Sequence, residues 1–259
     1  MYGNSMERFF WTQKEDIGAS PRTDHSMCYD SDKEKVVLFG GVAAGTNRLG
    51  DTWIWDGNEW TQVADTGPSP RSGSDMVYDS FRKKSVLFGG YAGGLPTDHF
   101  NDTWEWDGNE WTQVDDTEPS ARHGHTMTYD ESAQIVPLFS GATLTGSSVG
   151  ETWGWDGNEW THLQHLGPGR LVGSPMVYTV HGTILFGGKT VNDEVNDNTW
   201  LWDGQFWAHT QDIGPSARYA HAMAYDSRRD RVVLFGGGVV AAGMPPLGDT
   251  WELKIEPIS

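Results

Sequence analysis

The sequence predicts an all-β, five-bladed β-propeller: a ring of five small sheets with four antiparallel strands each. The first observation behind this is a tryptophan-rich segment that recurs along the chain, with its leading tryptophans spaced by 51, 49, 47 and 51 residues. These tryptophans are Trp53, Trp104, Trp153, Trp200 and Trp251. A repeat of about 50 residues is typical of propellers and solenoids. The second observation is that no stretch shows the periodicity of an amphipathic helix.

Each repeat contains four segments with the pattern of short strands. The first carries a methionine two residues before a tyrosine, as in Met27 and Tyr29, which is the period of a pleated strand. The second is an apolar run ending in paired glycines, such as VVLFGG from Val36, as expected for a strand covered on both faces. The third is DTWxWD, and the fourth begins at the next tryptophan. An Asp-Gly pair between them predicts a tight turn, because glycine accepts positive φ.

The fifth repeat ends after its third strand, at Leu253, and the N-terminal segment matches the missing fourth strand. Residues 8–13, RFFWTQ, resemble the fourth-strand pattern NEWTQ and follow no third strand. The sequence therefore predicts that residues 8–13 pair with the last repeat and close the ring, which leaves only short edges. We expect a single domain over 1–259. Its blades are predicted at about 12–63, 64–114, 115–163, 164–210 and 211–259, with 8–13 as the closing strand of the last.

Composition narrows the classes of partner. The net charge of −18 disfavours nucleic acid and anionic membrane surfaces, which need a cationic face. Cys28 is the only cysteine, so an internal disulfide is excluded. The first eighteen residues lack the apolar core of a secretory signal. We expect a monomer that binds neither nucleic acid nor membrane; its location stays open, with the cytoplasm slightly favoured.

The paired glycines, the aromatic third and fourth strands, the arginine before each first strand and the period near 50 residues together resemble kelch repeats. The resemblance runs from about Arg8 to Leu253 and implies a kelch-type β-propeller. Five blades is fewer than the six or seven usual in that family, so the count depends on the repeats themselves. The resemblance also implies that the arginines pair with acidic groups at the blade ends. They are Arg22, Arg71, Arg122, Arg170 and Arg218.

The resemblance further implies a ligand site at the mouth of the central channel, made by residues just after each arginine and just after each glycine pair. The first position gives Thr23, Ser72, His123, Tyr219 and either Leu171 or Val172; the second gives Val42, Tyr91, Ala142, Lys189 and Gly238. The polar loop from Tyr91 to Asn101 adds Asp98 and His99. The predicted binding residues are therefore Thr23, Ser72, Tyr91, His99, His123, Lys189 and Tyr219. Their aromatic faces and few polar groups suit a small molecule, a glycan or a peptide.

Recognition is the favoured function, and an enzyme is the alternative. An isomerase or lyase would use the mouth His, Tyr and Lys groups for acid–base chemistry, with His123 and Tyr219 as the catalytic candidates. A metal-dependent activity would use His25, His125 and His221, which lie three residues after their arginines. The resemblance implies a packing role for these three histidines, so we expect no cofactor. Pro137 and Ser140 make the third repeat irregular and predict a local bulge, whose role the sequence leaves open.

Overall fold

The computed structural model describes residues 18–43, 46–94, 98–143, 150–164, 167–190, 192–211, 214–239 and 247–255. These residues form strands, turns and loops, and contain no helix. In particular, they hold no helix with the length and apolarity that a membrane crossing would require. The predicted closing strand, residues 8–13, lies outside the described part of the chain.

The strands form five antiparallel blades that follow one another along the chain, as predicted for a five-bladed β-propeller, and blade three also carries a separate two-stranded sheet. Blade one contains β1 (Ser26–Asp30), β2 (Lys35–Phe39), β3 (Thr52–Trp55) and β4 (Trp60–Ala64). Blade two contains β5 (Asp75–Asp79), β6 (Lys84–Phe88), β7 (Thr103–Trp106) and β8 (Trp111–Asp115). Blade three contains β9 (Arg122–His123), β10 (Thr126–Met127), β11 (Val136–Phe139), β12 (Ala142–Thr143), β13 (Thr152–Trp155) and β14 (Trp160–Gln164). Blade four contains β15 (Met176–Thr179), β16 (Gly182–Phe186), β17 (Thr199–Trp202) and β18 (Trp207–Gln211), and blade five contains β19 (Ala222–Asp226), β20 (Arg231–Phe235) and β21 (Thr250–Leu253).

The Asp-Gly hairpins form as predicted between the third and fourth strands. In the first hairpin, Asp56 Oδ1 accepts hydrogen bonds from the backbone N–H groups of Asn58 and Glu59, at 2.9 and 3.0 Å. Gly57 has a φ of 99°, a left-handed conformation that a side chain would strain. Asp107, Asp156 and Asp203 accept equivalent bonds, so one acidic residue in each of the first four blades serves this turn.

The core lies in the seams, meaning the interfaces between consecutive blades. In the seam of blades one and two, the Trp111 ring packs edge-on against Phe39 at 5.4 Å between centroids, and its Nε1 donates to Thr52 Oγ1 at 2.8 Å. The next two seams repeat this set of phenylalanine, fourth-strand tryptophan and third-strand threonine. Its members are Phe88, Trp160 and Thr103, then Phe139, Trp207 and Thr152. Each tryptophan thus joins its own blade to the preceding one.

The arginines pair with acidic residues at the blade ends, as the kelch resemblance implied, except in blade four. The buried Arg71 donates to Asp102 Oδ2 at 2.8 Å and to the carbonyl of Gly89 at 2.9 Å. Equivalent pairs join Arg22 to Asp51, Arg122 to Glu151 and Arg218 to Asp249. The prediction for Arg170 was wrong: Arg170 is exposed, and the buried Leu171 takes the place of the arginine. Asn198 replaces the acidic partner there, so both charges are absent together.

The irregularity of blade three has a local cause in each of its two unusual residues. The predicted bulge was wrong at Pro137, which keeps a regular register opposite Gly154 of β13. Pro137 has no N–H to donate toward the inner strand, and β10 is only two residues long where β1 and β5 have five. Ser140 replaces the first glycine of the pair at a φ of 64°, and its Oγ accepts the backbone N–H of Leu171 at 2.8 Å. The hydroxyl therefore links blades three and four.

The inner strands of all five blades surround a central channel of about 830 Å³. Blade one contributes Met27 and Tyr29 to its wall, and the equivalent residues of the other four blades line it as well. Three strands of blade five lie among the described residues, in the order β19-β20-β21. A common channel with short connections places every glycine pair at the same end, where the loops form a mouth.

Candidate functional site

Two residues from each blade form a short antiparallel bridge at the channel mouth. One follows the arginine position, and the other follows the glycine pair. The bridges are Thr23–Val42, Ser72–Tyr91, His123–Ala142, Val172–Lys189 and Tyr219–Gly238. The two positions taken from the repeat pattern therefore lie next to each other in every blade. For blade four the bridge identifies Val172 and rejects Leu171, because the extra residue in this repeat shifts the chain by one position.

A cavity of about 580 Å³ opens at this mouth and is lined by residues from all five blades. Of the seven predicted binding residues, Ser72, Tyr91, His123 and Tyr219 line it. The other three do not line the cavity, but each lies next to a residue that does. His99 is hydrogen-bonded to His123, Lys189 lies 5.4 Å from the Tyr219 ring centroid, and Thr23 is bridged to Val42.

The floor of the cavity is a ring of left-handed backbone residues, one from each blade. They are Asp24, Gly73, Gly124, Gly173 and Ala220, with φ of 53, 64, 62, 67 and 53°. Backbone hydrogen bonds of 2.8–2.9 Å link Gly73 to Asp24, Gly124 to Gly73, and Ala220 to Gly173. Because three members have no side chain, a ligand can approach the backbone closely. Asp24 supplies the only charged side chain of this ring.

Residues 2–136 match the family model of the KLHDC2/KLHL20/DRC7 Kelch-repeats domain, which is just over half of the 259 residues. The chain belongs to the kelch-repeat family. Among solved structures, the one titled "Structure of YjhT" is similar to this kelch propeller with a TM-score of 0.73. The match covers 91% of this chain and 82% of that one at 13% identity, so it supports the fold alone. No curated protein matches the chain.

Three rings of the kelch propeller pack together on one side of the mouth. The Tyr91 ring centroid lies 4.8 Å from that of His99 and 5.7 Å from that of His123. Burial, and then the neighbouring His99, lower the pKa of His123 from its ordinary value, while Asp24 acts in the opposite direction. His123 is therefore neutral at pH 7 and can take part in hydrogen bonds as donor or acceptor.

Two cations flank the cavity over aromatic faces. The Arg48 guanidinium lies 5.3 Å from the Tyr91 ring centroid, and its Nη1 donates to the carbonyl of Thr46 at 2.9 Å. Lys189 is paired with Asp193 at 2.7 Å, and this hydrogen bond raises the pKa of Lys189. Lys189 therefore stays protonated at neutral pH, which favours a binding role over the acid–base role considered from the sequence.

Of the three histidines considered for a metal, His125 and His221 are among the residues that line the cavity, and His25 is not. The His125 ring packs against Phe88 of the preceding blade at 5.4 Å, and His221 packs against Phe186 at 5.5 Å. Burial lowers the pKa of His125 to about 3 and that of His221 to about 4. The pKa of His25 is lowered as well, mainly by burial. Across the described ranges, no group of three or more His, Cys, Asp or Glu side chains is arranged to hold a metal ion.

Sequence reasoning missed two charged residues that line the cavity, Asp24 and Arg48. The signal for Asp24 was present, because its position holds glycine in three repeats and alanine in the fifth. Arg48 precedes the acidic residue of its repeat by three positions, as His99 does in the next. Both bridge to the residue after the glycine pair, Arg48 to Val42 and His99 to Tyr91. This third mouth position has no fixed residue type, so only its pairing reveals it.

Proposed function

We propose that this kelch propeller is a recognition module whose mouth cavity binds a small molecule, a glycan or a peptide. One observation carries the proposal: residues at which the repeats differ converge from all five blades on a single cavity of about 580 Å³. A scaffold of repeats does not need such differences, whereas a specific site does. The volume also falls within the range of about 300–1,000 Å³ typical of ligand pockets.

The lining indicates what such a ligand carries. Tyr91 and Tyr219 offer aromatic faces for apolar groups or sugar rings. Ser72 and His123 offer neutral hydrogen-bonding groups, and the open backbone of Gly73 beside them permits close approach. These features favour a partly apolar ring or side chain with several hydrogen-bonding groups. They give no reason for a long polyanion, since Asp24 lies on the cavity floor.

The experiment is a thermal-shift screen with glycan, tripeptide and metabolite libraries, followed by calorimetry on the compounds that stabilise the protein. His123→Ala and Tyr219→Ala should each weaken binding at least tenfold and leave the melting temperature within about 2 °C, because truncations outside the core cost little stability. His209→Ala and Phe206→Ala are matched controls on the outer strand and its turn, and should leave binding unchanged. If both mouth variants bind every hit as the wild type does, the site lies elsewhere.

A hydrogen bond between His99 and His123 supports the enzyme alternative, an isomerase or lyase with acid–base groups at the mouth. His99 Nε2 lies 2.8 Å from His123 Nδ1, so His123 is oriented in the way that general bases usually are. Tyr219 lines the same cavity and would act as the acid. NMR time courses on the hits would test this: an enzyme converts them, and His123→Gln retains binding while conversion stops.

A further inference from the structure

Two histidines from different blades share a hydrogen bond at the mouth. His99 lies just before β7 in blade two, and His123 ends β9 in blade three. Their ring centroids are 4.8 Å apart, with His99 Nε2 and His123 Nδ1 at 2.8 Å. Tyr91 packs against both rings. The aromatic packing therefore holds the two nitrogens in register.

The N–H···N hydrogen bond between the two imidazoles contains one proton, which either His99 or His123 donates. The identity of the donor decides whether the outer nitrogen of His123, Nε2, is itself a hydrogen-bond donor or an acceptor. When His99 donates, the second proton of the neutral pair is on His123 Nε2, which is then a donor. When His123 donates, its Nε2 is a bare acceptor. A first proton added to the pair occupies the remaining outer nitrogen, so Nε2 can only donate. A second added proton breaks the bond, because two N–H groups then face each other with like charges.

We propose that His99 and His123 act as one proton-sharing unit: at neutral pH His123 Nε2 either donates to or accepts from a ligand, and in acid it only donates. Ligands that donate to this nitrogen are then lost in acid, and ligands that accept from it are kept. His99 is a positioning residue, since it acts through His123 and does not line the cavity. The effect on binding rests on the proposed mouth function, whereas the pairing does not.

The charges around the pair come from blades one to three. Among the described residues they include Asp24 on the floor, Arg48 over Tyr91, Asp98 next to His99 in the sequence, Arg122 paired with Glu151, and His125 in the cavity lining. Burial and the like charge of a protonated His99 oppose protonation of His123, and Asp24 favours it. The influences on the pKa of His123 therefore act in opposite directions, with burial the largest of them.

The test follows the imidazole nitrogens of ¹⁵N-labelled protein by NMR from pH 8 to pH 4, without any ligand. In the wild type we expect an N–N coupling between His99 Nε2 and His123 Nδ1 at pH 7.5 that disappears in acid. In His99→Phe, which keeps a ring beside Tyr91, His123 should titrate about half a pH unit higher, because a like charge about 5 Å away is removed. His181→Phe removes a distant histidine that is paired with Asp230, and should leave His123 unchanged.

Two results would overturn the proposal: no coupling in the wild type at pH 7.5, or identical titration of His123 in the wild type and His99→Phe. The first measurement needs no variant, so it stands even where His99→Phe does not fold. A ligand screen without binding would contradict the proposed function and would leave the N–N coupling between the histidines unaffected. Failure of the proposed function and failure of the histidine pairing are therefore distinguishable.

Discussion

The seams among blades one to four and the seams of blade five differ in what fills them. Phe39, Phe88 and Phe139 are fully buried, each beneath the tryptophan of the next blade. Phe186 and Thr199 of blade four instead line a cavity of about 370 Å³. Phe235 of blade five is 56% exposed. In the first three blades, the tryptophan of the next blade therefore covers the phenylalanine. The seams of blade five need an equivalent covering group when the ring closes.

A glycine upstream of the arginine position, present in four of the five repeats, marks the socket of the fourth-strand tryptophan. A Cβ on Gly67 or Gly167 would lie 2.7 Å from Trp111 or Trp207, whereas a Cβ on Gly214 meets nothing within 4 Å among the described residues. Gly214 also lines the 370 Å³ cavity. The cavity has the phenylalanine, the threonine and the glycine of a tryptophan socket. Trp11, in the predicted closing strand, is the residue that the repeat pattern assigns to it.

The largest expected effect tests this assignment directly. Trp207→Ala empties a filled socket and should cost about 3–5 kcal/mol of unfolding free energy, as large-to-small changes in a core do. If Trp11 fills the fourth socket, Trp11→Ala should cost a similar amount in urea unfolding. Phe206→Ala, at a residue that is 61% exposed, is the control and should cost little. A loss below about 1 kcal/mol for Trp11→Ala would contradict the assignment.

The second prediction uses the fact that blade four has Leu171 and Asn198 where the other blades have an arginine and its acidic partner. Arg71→Leu should cost about 3 kcal/mol or more, because the Asp102 carboxylate loses its buried partner. Arg71→Leu combined with Asp102→Asn copies Leu171 and Asn198 and should recover part of that loss. A double-mutant cycle in urea measures the coupling. Equal losses for the single and the double variant would show that blade four depends on something other than this exchange.

The third prediction concerns pH and the histidines of the seams. Burial lowers the pKa of His125 in the folded protein to about 3, whereas an unperturbed histidine titrates at about 6.5. As the pH falls below about 6.5, the unfolded chain therefore binds a proton at His125 that the folded protein does not bind, and the free energy of unfolding decreases. From pH 7 to pH 5 the loss should be about 2 kcal/mol for this residue. His125→Ser places at this site the residue that blades two and four carry, Ser74 and Ser174, and should flatten the profile. An unchanged slope in this variant would refute the assignment.

The smallest expected effect has the opposite sign and comes from Asp75. Its Oδ2 accepts the backbone N–H of Met127 across a seam at 2.7 Å, and burial raises its pKa to about 6. A raised carboxyl pKa contributes stability that is present at low pH and is lost as the pH rises through about 6. The wild type should gain about 1 kcal/mol from Asp75 between pH 7 and pH 5. Asp75→Thr, which copies Thr126, should lose that gain in a thermal melt series.

Much of the mouth followed from the repeats, and the failures have physical causes. The bridges place Ser72, Tyr91, His123 and Tyr219 where repeat positions predicted a common site, since equivalent positions in a ring lie at equal height. The prediction for Arg170 in blade four failed because this repeat has one extra residue, which shifts the chain by one position. Only the burial of Leu171 showed that it occupies the place of the paired arginine. Whether these residues bind a ligand stays a prediction.

The sequence alone determined the number of blades, the strand pattern and the turns, because these follow from local periodicity, from glycine conformation and from apolar runs. Only the tertiary structure decided that His99 contacts His123, that Asp24 bears the charge on the cavity floor and that Arg48 lies over Tyr91. Such contacts join residues of different blades. They depend on the rotation between sheets and on side-chain packing across the seam, which no single repeat encodes.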